Sequence, residues 1–143
     1  MSVVKHKIID EIALIEISNP PVNAISAAVR IGLLETIENL SLNEKIKAIV
    51  IAAPERTFLA GADIKEFGKK VDAPILGKIC DKIESLNKIV VASLHGTPLG
   101  GGLEVAMSAH YRIAAPNTKV GLPEVLLGIL QTLMMIQIIL TQQ

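Results

Sequence analysis

IVVASLHGTPLGGGLEVAMSAHYRIAA, residues 89–115, decides the fold. Its opening stretch, Ile89 to Leu94, is short, β-branched and almost wholly apolar, the composition of a buried strand. A loop from His95 to Leu99 follows, and then Gly100, Gly101 and Gly102. Behind them Leu103, Ala106, Met107 and His110 recur at a spacing that lines one helical face, so the glycines stand at a helix N-terminus. Tyr111 to Ala115 reads as one more short strand. Strand, glycine loop, helix and strand with so little linker point to an α/β architecture with a parallel or mixed sheet.

Working outward from this unit, the same alternation continues. Ile12 to Ser18 and Lys47 to Ala53 read as strands, the second so continuously apolar that it is expected to be buried on both faces. Between them Ala27, Ile31, Leu34, Ile37 and Leu40 repeat at helical spacing behind Ser26, a competent N-cap, with Arg30, Glu35, Glu38 and Asn39 on other faces. A second helix is expected to start near Pro74 and to run through Ile75, Ile79, Ile83 and Leu86, with Lys78, Asp81, Lys82 and Glu84 outward. Lys119 to Gly121 is a further candidate strand before a turn at Pro123 and Glu124. No internal repeat, charge block or low-complexity linker divides the chain.

Composition narrows the function classes. The 143 residues suffice for one domain with its own core, and 50% hydrophobic residues with a mean hydropathy of +0.50 exclude a disordered chain. Lys plus Arg balance Asp plus Glu at 14 each, and one Tyr, two Phe and no Trp supply no stacking platform, which argues against a nucleic-acid partner. Cys80 has no second thiol to pair with, and acids at Asp10, Glu11 and Glu16 interrupt the region where an export signal needs an apolar run. A cytoplasmic location is expected. Leu126 to Leu140 is apolar but interrupted by Gln131, Thr132 and Gln137, and is shorter than the ~20 residues of a membrane span, so no membrane attachment is expected.

Three short elements carry candidate chemistry: Ala60-Gly61-Ala62-Asp63 after a strand, Gly100-Gly101-Gly102-Leu103-Glu104 opening a helix, and Gly121-Leu122-Pro123-Glu124. Glycine lets backbone approach a ligand closely, and free amides at a helix N-terminus favour an oxygen that gains negative charge. The amides of Ala62 and Gly101 are thus candidates for two donors to one carbonyl oxygen. Glu104 and Glu124 add two carboxyl groups able to divide acid and base work. Nothing matches a zinc, thiol-redox, nucleophile-elbow or phosphate-loop motif, and His6, His95 and His110 show no ligand spacing, so no metal is expected. Solvated surface is the plainer reading of Lys65, Lys69 and Lys70, and apolar filling that of Met134 and Met135.

NPPVNAIS (Asn19 to Ser26), FLAGADIKEF (Phe58 to Phe67), HGTPLGGGLEVAMSAHYRIAA (His95 to Ala115) and KVGLPEVLLGIL (Lys119 to Leu130) together resemble the enoyl-CoA hydratase/isomerase, or crotonase, family. The likeness is greatest to the hydratase half of bifunctional enoyl-CoA hydratase/3-hydroxyacyl-CoA dehydrogenases. It implies a crotonase-like spiral of β-β-α units that binds an acyl-CoA thioester, with coenzyme A as part of the substrate and no separate cofactor. It implies an oxyanion hole from Ala62 and Gly101, water activation by Glu104 and proton exchange at the α-carbon by Glu124. Ala24, Ala60, Asp63 and Ile64 match positions that flank the nucleotide and pantetheine of the substrate. The implied reaction is hydration of trans-2-enoyl-CoA in fatty acid β-oxidation. The presence of both glutamates favours it over the alternative of double-bond isomerisation, which runs on a single base.

The resemblance stops after Leu130. Residues 131–143, QTLMMIQIILTQQ, depart from the family's pattern, which implies a core at 1–130, a non-matching tail and a spiral left incomplete by a truncated coding frame. The intact family forms homo-trimers or hexamers. An incomplete spiral leaves a further alternative, a non-catalytic remnant that binds acyl-CoA or associates through exposed faces.

Overall fold

The computed structural model describes residues 2–121 together with the strand Ile139–Leu140. Six strands, β1 (Val4–Ile9), β2 (Ile12–Ile17), β3 (Ala48–Ala52), β4 (Ile89–Leu94), β5 (Tyr111–Ala114) and β6 (Ile139–Leu140), lie side by side in chain order. β1 and β2 form an antiparallel hairpin around Asp10, whose left-handed φ of 55° makes the tight turn. Every later pairing is parallel, so the sheet is mixed. Each parallel step needs a crossover; α1 (Ala27–Ser41), α2 (Leu76–Ser85) and α3 (Gly101–Ser108) provide those from β2 to β3, β3 to β4 and β4 to β5, and the connection from β5 to β6 lies outside the described residues. The turn expected at Pro123 and Glu124, the apolar segment up to Ile138, the Met134 and Met135 pair and the boundary at Leu130 lie outside the described residues.

A rudimentary second layer completes each turn of the chain. Ile25 bridges Ala62, and Leu99 bridges Gly121, both parallel. Each bridging residue follows a long strand, and Ile25, Ala62 and Leu99 each precede a helix. The unit is therefore strand, short bridge and helix, which is the β-β-α spiral of a crotonase-like α/β fold.

Alternation along the strands sorts the residues. Ala13, Ile15 and Ile17, Ile49 and Ile51, and Val90, Ala92 and Leu94 are buried and join Val29, Leu33, Ile37, Ile79, Ile83, Leu103 and Ala106 of the helices in one core. The opposite sheet face is only partly covered, with Ile12 43% and Ile89 51% exposed. β3 is accordingly buried on one face and half-buried on the other, not buried on both as its composition suggested. Among the described residues, α1, α2 and α3 all press on the same core, and the other face is left to its own cross-strand neighbours.

The helices start where their caps dictate. Ser26 Oγ accepts from Val29 N–H at 3.3 Å, as expected of an N-cap. The buried stripe of α1 is Val29, Leu33, Leu34, Ile37 and Leu40, whereas Ile31 turns out to solvent at 37% exposure. α2 begins after Ile75, which occupies the N-cap position and is 75% exposed instead of joining the core. α3 starts at Gly101, two residues before the expected Leu103, and ends before His110. Lys119 to Gly121 forms no strand beyond the single bridge of Gly121.

Candidate active site

Asn19 and Asn23 shape the loop that leads from β2 to α1. Asn23 is fully buried with a left-handed φ of 58°, and its Oδ1 accepts from Asn19 N–H at 2.8 Å. Its Nδ2 faces the carbonyls of Ile17, Thr57 and Phe58 at 3.3, 3.4 and 3.3 Å, and its own carbonyl accepts from Ala60 N–H at 3.1 Å. Asn19 Nδ2 donates to the Ala24 carbonyl at 2.8 Å. A buried amide with all its hydrogen-bonding groups occupied fixes backbone strongly, because each group left unpaired would cost ~1–3 kcal/mol. Asn23 thereby ties the β2–α1 loop to the Thr57–Ala60 segment that delivers Ala62.

Ala62 and Gly101 come together at the head of α3. Ile25 N–H donates to the Gly61 carbonyl at 2.7 Å, which seats the Ala60–Asp63 loop, and Gly61 takes a φ of 114° that favours glycine. Gly100 N–H donates to the Gly121 carbonyl at 3.0 Å, while Glu104 N–H closes the first helical bond on the Gly100 carbonyl at 3.0 Å. A β-carbon built on Gly101 would lie 3.9 Å from Ala62 N. Neither the Ala62 nor the Gly101 N–H has a protein acceptor among the described residues. For Gly101 this follows from its place at the first helical position, where donors lack intrahelical partners. Two free amides beside one another at a helix N-terminus, one buried and one exposed, can bind one oxygen that gains negative charge.

A cavity of about 340 Å³ opens beside Ala62. Ile25, Pro74, Ile75 and Leu76 give it apolar walls, and Asp63, Arg30 and Glu66 give it polar ones. Asp63 Oδ1 caps a single 3-10 turn, Ile64–Glu66, by accepting from Lys65 N–H at 3.0 Å. Ile64 is 77% exposed, and Ala24 and Ala60 are half-buried on the approach to the loop. Glu66 bonds the N-terminus of α1 and pairs with Arg30 at 3.0 Å. Reading the sequence residue by residue missed Arg30, Glu66 and Asn23 as site residues, since each makes bonds to partners more than 30 positions away that local spacing does not reveal.

Glu104 is half-buried one helical turn beyond Gly101 on α3. Its carboxylate is among the charges that raise the thiol of Cys80, with burial the larger cause. Glu124 lies outside the described residues. Structural roles suffice for two of the histidines: His110 Nδ1 accepts from Val90 N–H at 2.9 Å with Nε2 facing the Glu84 carbonyl at 3.1 Å, and His95 Nε2 faces the Glu55 carbonyl at 2.6 Å. Lys65, Lys69 and Lys70 are exposed.

Comparison with known proteins converges on one group. Residues 7–142 match the family described as enoyl-CoA hydratase/isomerase. The peroxisomal bifunctional enzyme of Danio rerio is 47% identical over 119 residues, covering 83% of this chain and 17% of that enzyme. A probable enoyl-CoA hydratase of Bacillus subtilis (strain 168) is 40% identical over 126 residues, covering 83% of this chain and 49% of that protein. Among solved structures, DspI of Pseudomonas aeruginosa superposes with a TM-score of 0.82 at 29% identity, over 91% of this chain and 52% of its own. The chain thus spans about half the length of the Bacillus subtilis relative and about a sixth of the bifunctional one.

These matches overturn the cytoplasmic location. The relatives whose names carry a compartment are peroxisomal or glyoxysomal. A lone cysteine speaks only against a disulfide framework and does not distinguish one reducing compartment from another.

Proposed function

Since the chain belongs to the enoyl-CoA hydratase/isomerase family, we propose that it adds water to trans-2-enoyl-CoA thioesters of fatty acid β-oxidation, giving 3-hydroxyacyl-CoA, in a peroxisomal setting like that of its bifunctional relatives. The observation that supports this reading most is the pairing of free amides at Ala62 and Gly101 beside a cavity with apolar walls. Addition of water to an α,β-unsaturated thioester develops negative charge on the carbonyl oxygen, and two fixed donors stabilise that charge without reorganising at the moment of reaction. Removing one such donor costs ~10²–10³ in rate where it has been tested in other enzymes.

In this reading the thioester oxygen accepts from both amides. Glu104 orients water and takes its proton as oxygen bonds to the β-carbon, and Glu124 delivers a proton to the α-carbon. Ala24, Ala60, Asp63 and Ile64 flank the pantetheine and nucleotide, and the reaction needs no cofactor beyond the coenzyme A carried by the substrate. Assembly into trimers or hexamers fits the same reading.

Separate incubations with crotonyl-CoA and with a 3-enoyl-CoA test it. Loss of the conjugated-enoyl absorbance with formation of 3-hydroxybutyryl-CoA is the expected result. Turnover of the 3-enoyl thioester alone would replace hydration by isomerisation, and thioester binding with no turnover of either would leave a non-catalytic acyl-CoA binder.

A further inference from the structure

The loop that carries Ala62 is gripped from both sides by one stretch of chain, residues 23–30. Upstream, the Asn23 carbonyl holds Ala60 N–H and Ile25 N–H holds the Gly61 carbonyl. Downstream, Glu66 Oε1 accepts from Ala27 N–H at 2.6 Å, and Oε2 pairs with Arg30 at 3.0 Å. Arg30 extends the grip, donating from Nε to the Pro74 carbonyl at 2.9 Å and from its terminal nitrogen to the Ile25 carbonyl at 3.2 Å. One ion pair therefore joins the bridge residue Ile25, the first turn of α1, the 3-10 turn after Ala62 and the segment before α2.

Two features make Glu66 more than a surface partner. α1 has no acidic residue in its own first turn, so the carboxylate that answers its N-terminal dipole arrives from Glu66, 39 residues away from Ala27. The pair is also shielded, with Arg30 15% and Glu66 21% exposed, and each oxygen is engaged in a defined direction. Between Glu66 and Ala62 lies a stiff turn, closed by Asp63 Oδ1 on Lys65 N–H and by Glu66 N–H on the Asp63 carbonyl at 3.1 Å. A shift of Glu66 is thus carried along that turn to the Ala62 amide.

We infer that Glu66, locked by Arg30, is a positioning residue that aims the Ala62 amide at the substrate oxygen. Its catalytic consequence rests on the hydratase reading above. A donor displaced by a fraction of an ångström loses stabilisation of the transition state more than of the bound substrate, so kcat falls while KM holds.

The test uses Glu66→Ala and Glu66→Gln in the whole chain. Glu66→Ala is expected to lower kcat on crotonyl-CoA at least ~10-fold with KM within ~3-fold, and to shrink the infrared red shift of the bound ¹³C-labelled thioester carbonyl. Glu66→Gln keeps an oxygen for Ala27 N–H and should recover part of both. Unchanged kcat and carbonyl shift in Glu66→Ala would overturn the inference, as would equal losses in both variants that follow only their melting temperatures. Should Glu66→Ala fail to fold, Arg30→Gln carries the same measurements, because it frees Pro74 and Ile25 yet leaves the bond to Ala27. Hydrogen exchange needs no substrate: the amides of Leu59 to Phe67 should exchange at least ~10-fold faster in the variant while β3 is unchanged. If the wild type neither turns over nor polarises the thioester, the hydratase reading falls. Exchange then decides the positioning claim alone, an unaltered loop overturning it and a loosened one sustaining it.

Discussion

Gly101 faces Ala62 so closely that a β-carbon on it would stand 3.9 Å from the Ala62 amide nitrogen. The same carbon would meet Leu76 Cδ2 at 2.9 Å and Ile25 Cδ1 at 3.3 Å, both far ends of side chains that can rotate away. Gly101→Ala is therefore expected to fold with a change of less than ~1 kcal/mol, while its methyl group crowds the Ala62 donor. Hydration of crotonyl-CoA should drop at least ~100-fold. Its neighbour behaves oppositely. A β-carbon on Gly102 would stand 1.9 Å from the Leu59 carbonyl oxygen, backbone that cannot rotate, so Gly102→Ala should cost about 3 kcal/mol or more in a urea melt. Wild-type turnover in Gly101→Ala would remove Gly101 from the site.

Cys80 reports on the α2–α3 contact through pH. Burial, with the carboxylates of Glu104, Asp81 and Glu84 adding and a hydrogen bond from Ser108 opposing, pushes its thiol up from 9.0 to about 11. Below pH 9 folded and unfolded chains both hold the proton, and the site adds no pH dependence. Between 9 and 11 the unfolded chain releases a proton that the folded chain keeps, so stability declines as pH rises, by ~1.4 kcal/mol per unit. The difference between wild type and Cys80→Ala in urea melts should show this slope, and folded protein should resist iodoacetamide at pH 8. Rapid alkylation of the folded chain at that pH would contradict the raised thiol.

Much of the architecture was legible because β-branched runs such as IALIEIS and IVVASL, and a serine before an apolar period, are local signals. The second layer was not, since the bridges Ile25–Ala62 and Leu99–Gly121 are one residue long and no periodicity marks them. Helix faces were read within the right elements but not always on the right residues. Ile31 and Val29 are equally apolar by type, and only the elements that pack on α1, namely α2, β1 and β2, decide which of them is covered. In the candidate site, the closeness of Ala62 and Gly101 was foreshadowed by the glycine-containing loops that carry them. Arg30 read as an outward charge of α1 and Glu66 drew no reading of its own, because an ion pair across 36 positions exists only after the spiral has closed.

Arg112 secures the other end of α3. It is 5% exposed, and one terminal nitrogen donates to the carbonyls of Ala106, Met107 and Ala109 at 3.2, 3.2 and 2.7 Å. A cation at a helix C-terminus answers the last carbonyls and the dipole together. Arg112→Met keeps the stem but leaves those oxygens without the donor. The expected loss is ~2–4 kcal/mol, read from the denaturant midpoint, and Arg112→Lys should recover only part of it because an ammonium lacks the planar fork. A loss below ~0.5 kcal/mol in Arg112→Met would show that the α3 terminus is held by other means.

The two glutamates supply the sharpest test of chemistry. If Glu104 positions water and Glu124 handles the α-proton, both act on one water and one substrate, so their effects should not add. Glu104 stands half-buried on α3, one turn beyond the Gly101 amide, within the element that also supplies a donor. Replacement of either glutamate by glutamine removes a carboxyl that gives or takes a proton while keeping its shape. Each single change should cut the hydration rate at least ~100-fold, the low end of what general acid–base catalysis contributes. The double change should cost far less than the product of the two. KM should move much less than kcat, because in the proposed mechanism binding would rest on the backbone donors and on contacts to coenzyme A. Near-normal turnover in Glu104→Gln would remove Glu104 from the mechanism and leave a one-base scheme centred on Glu124.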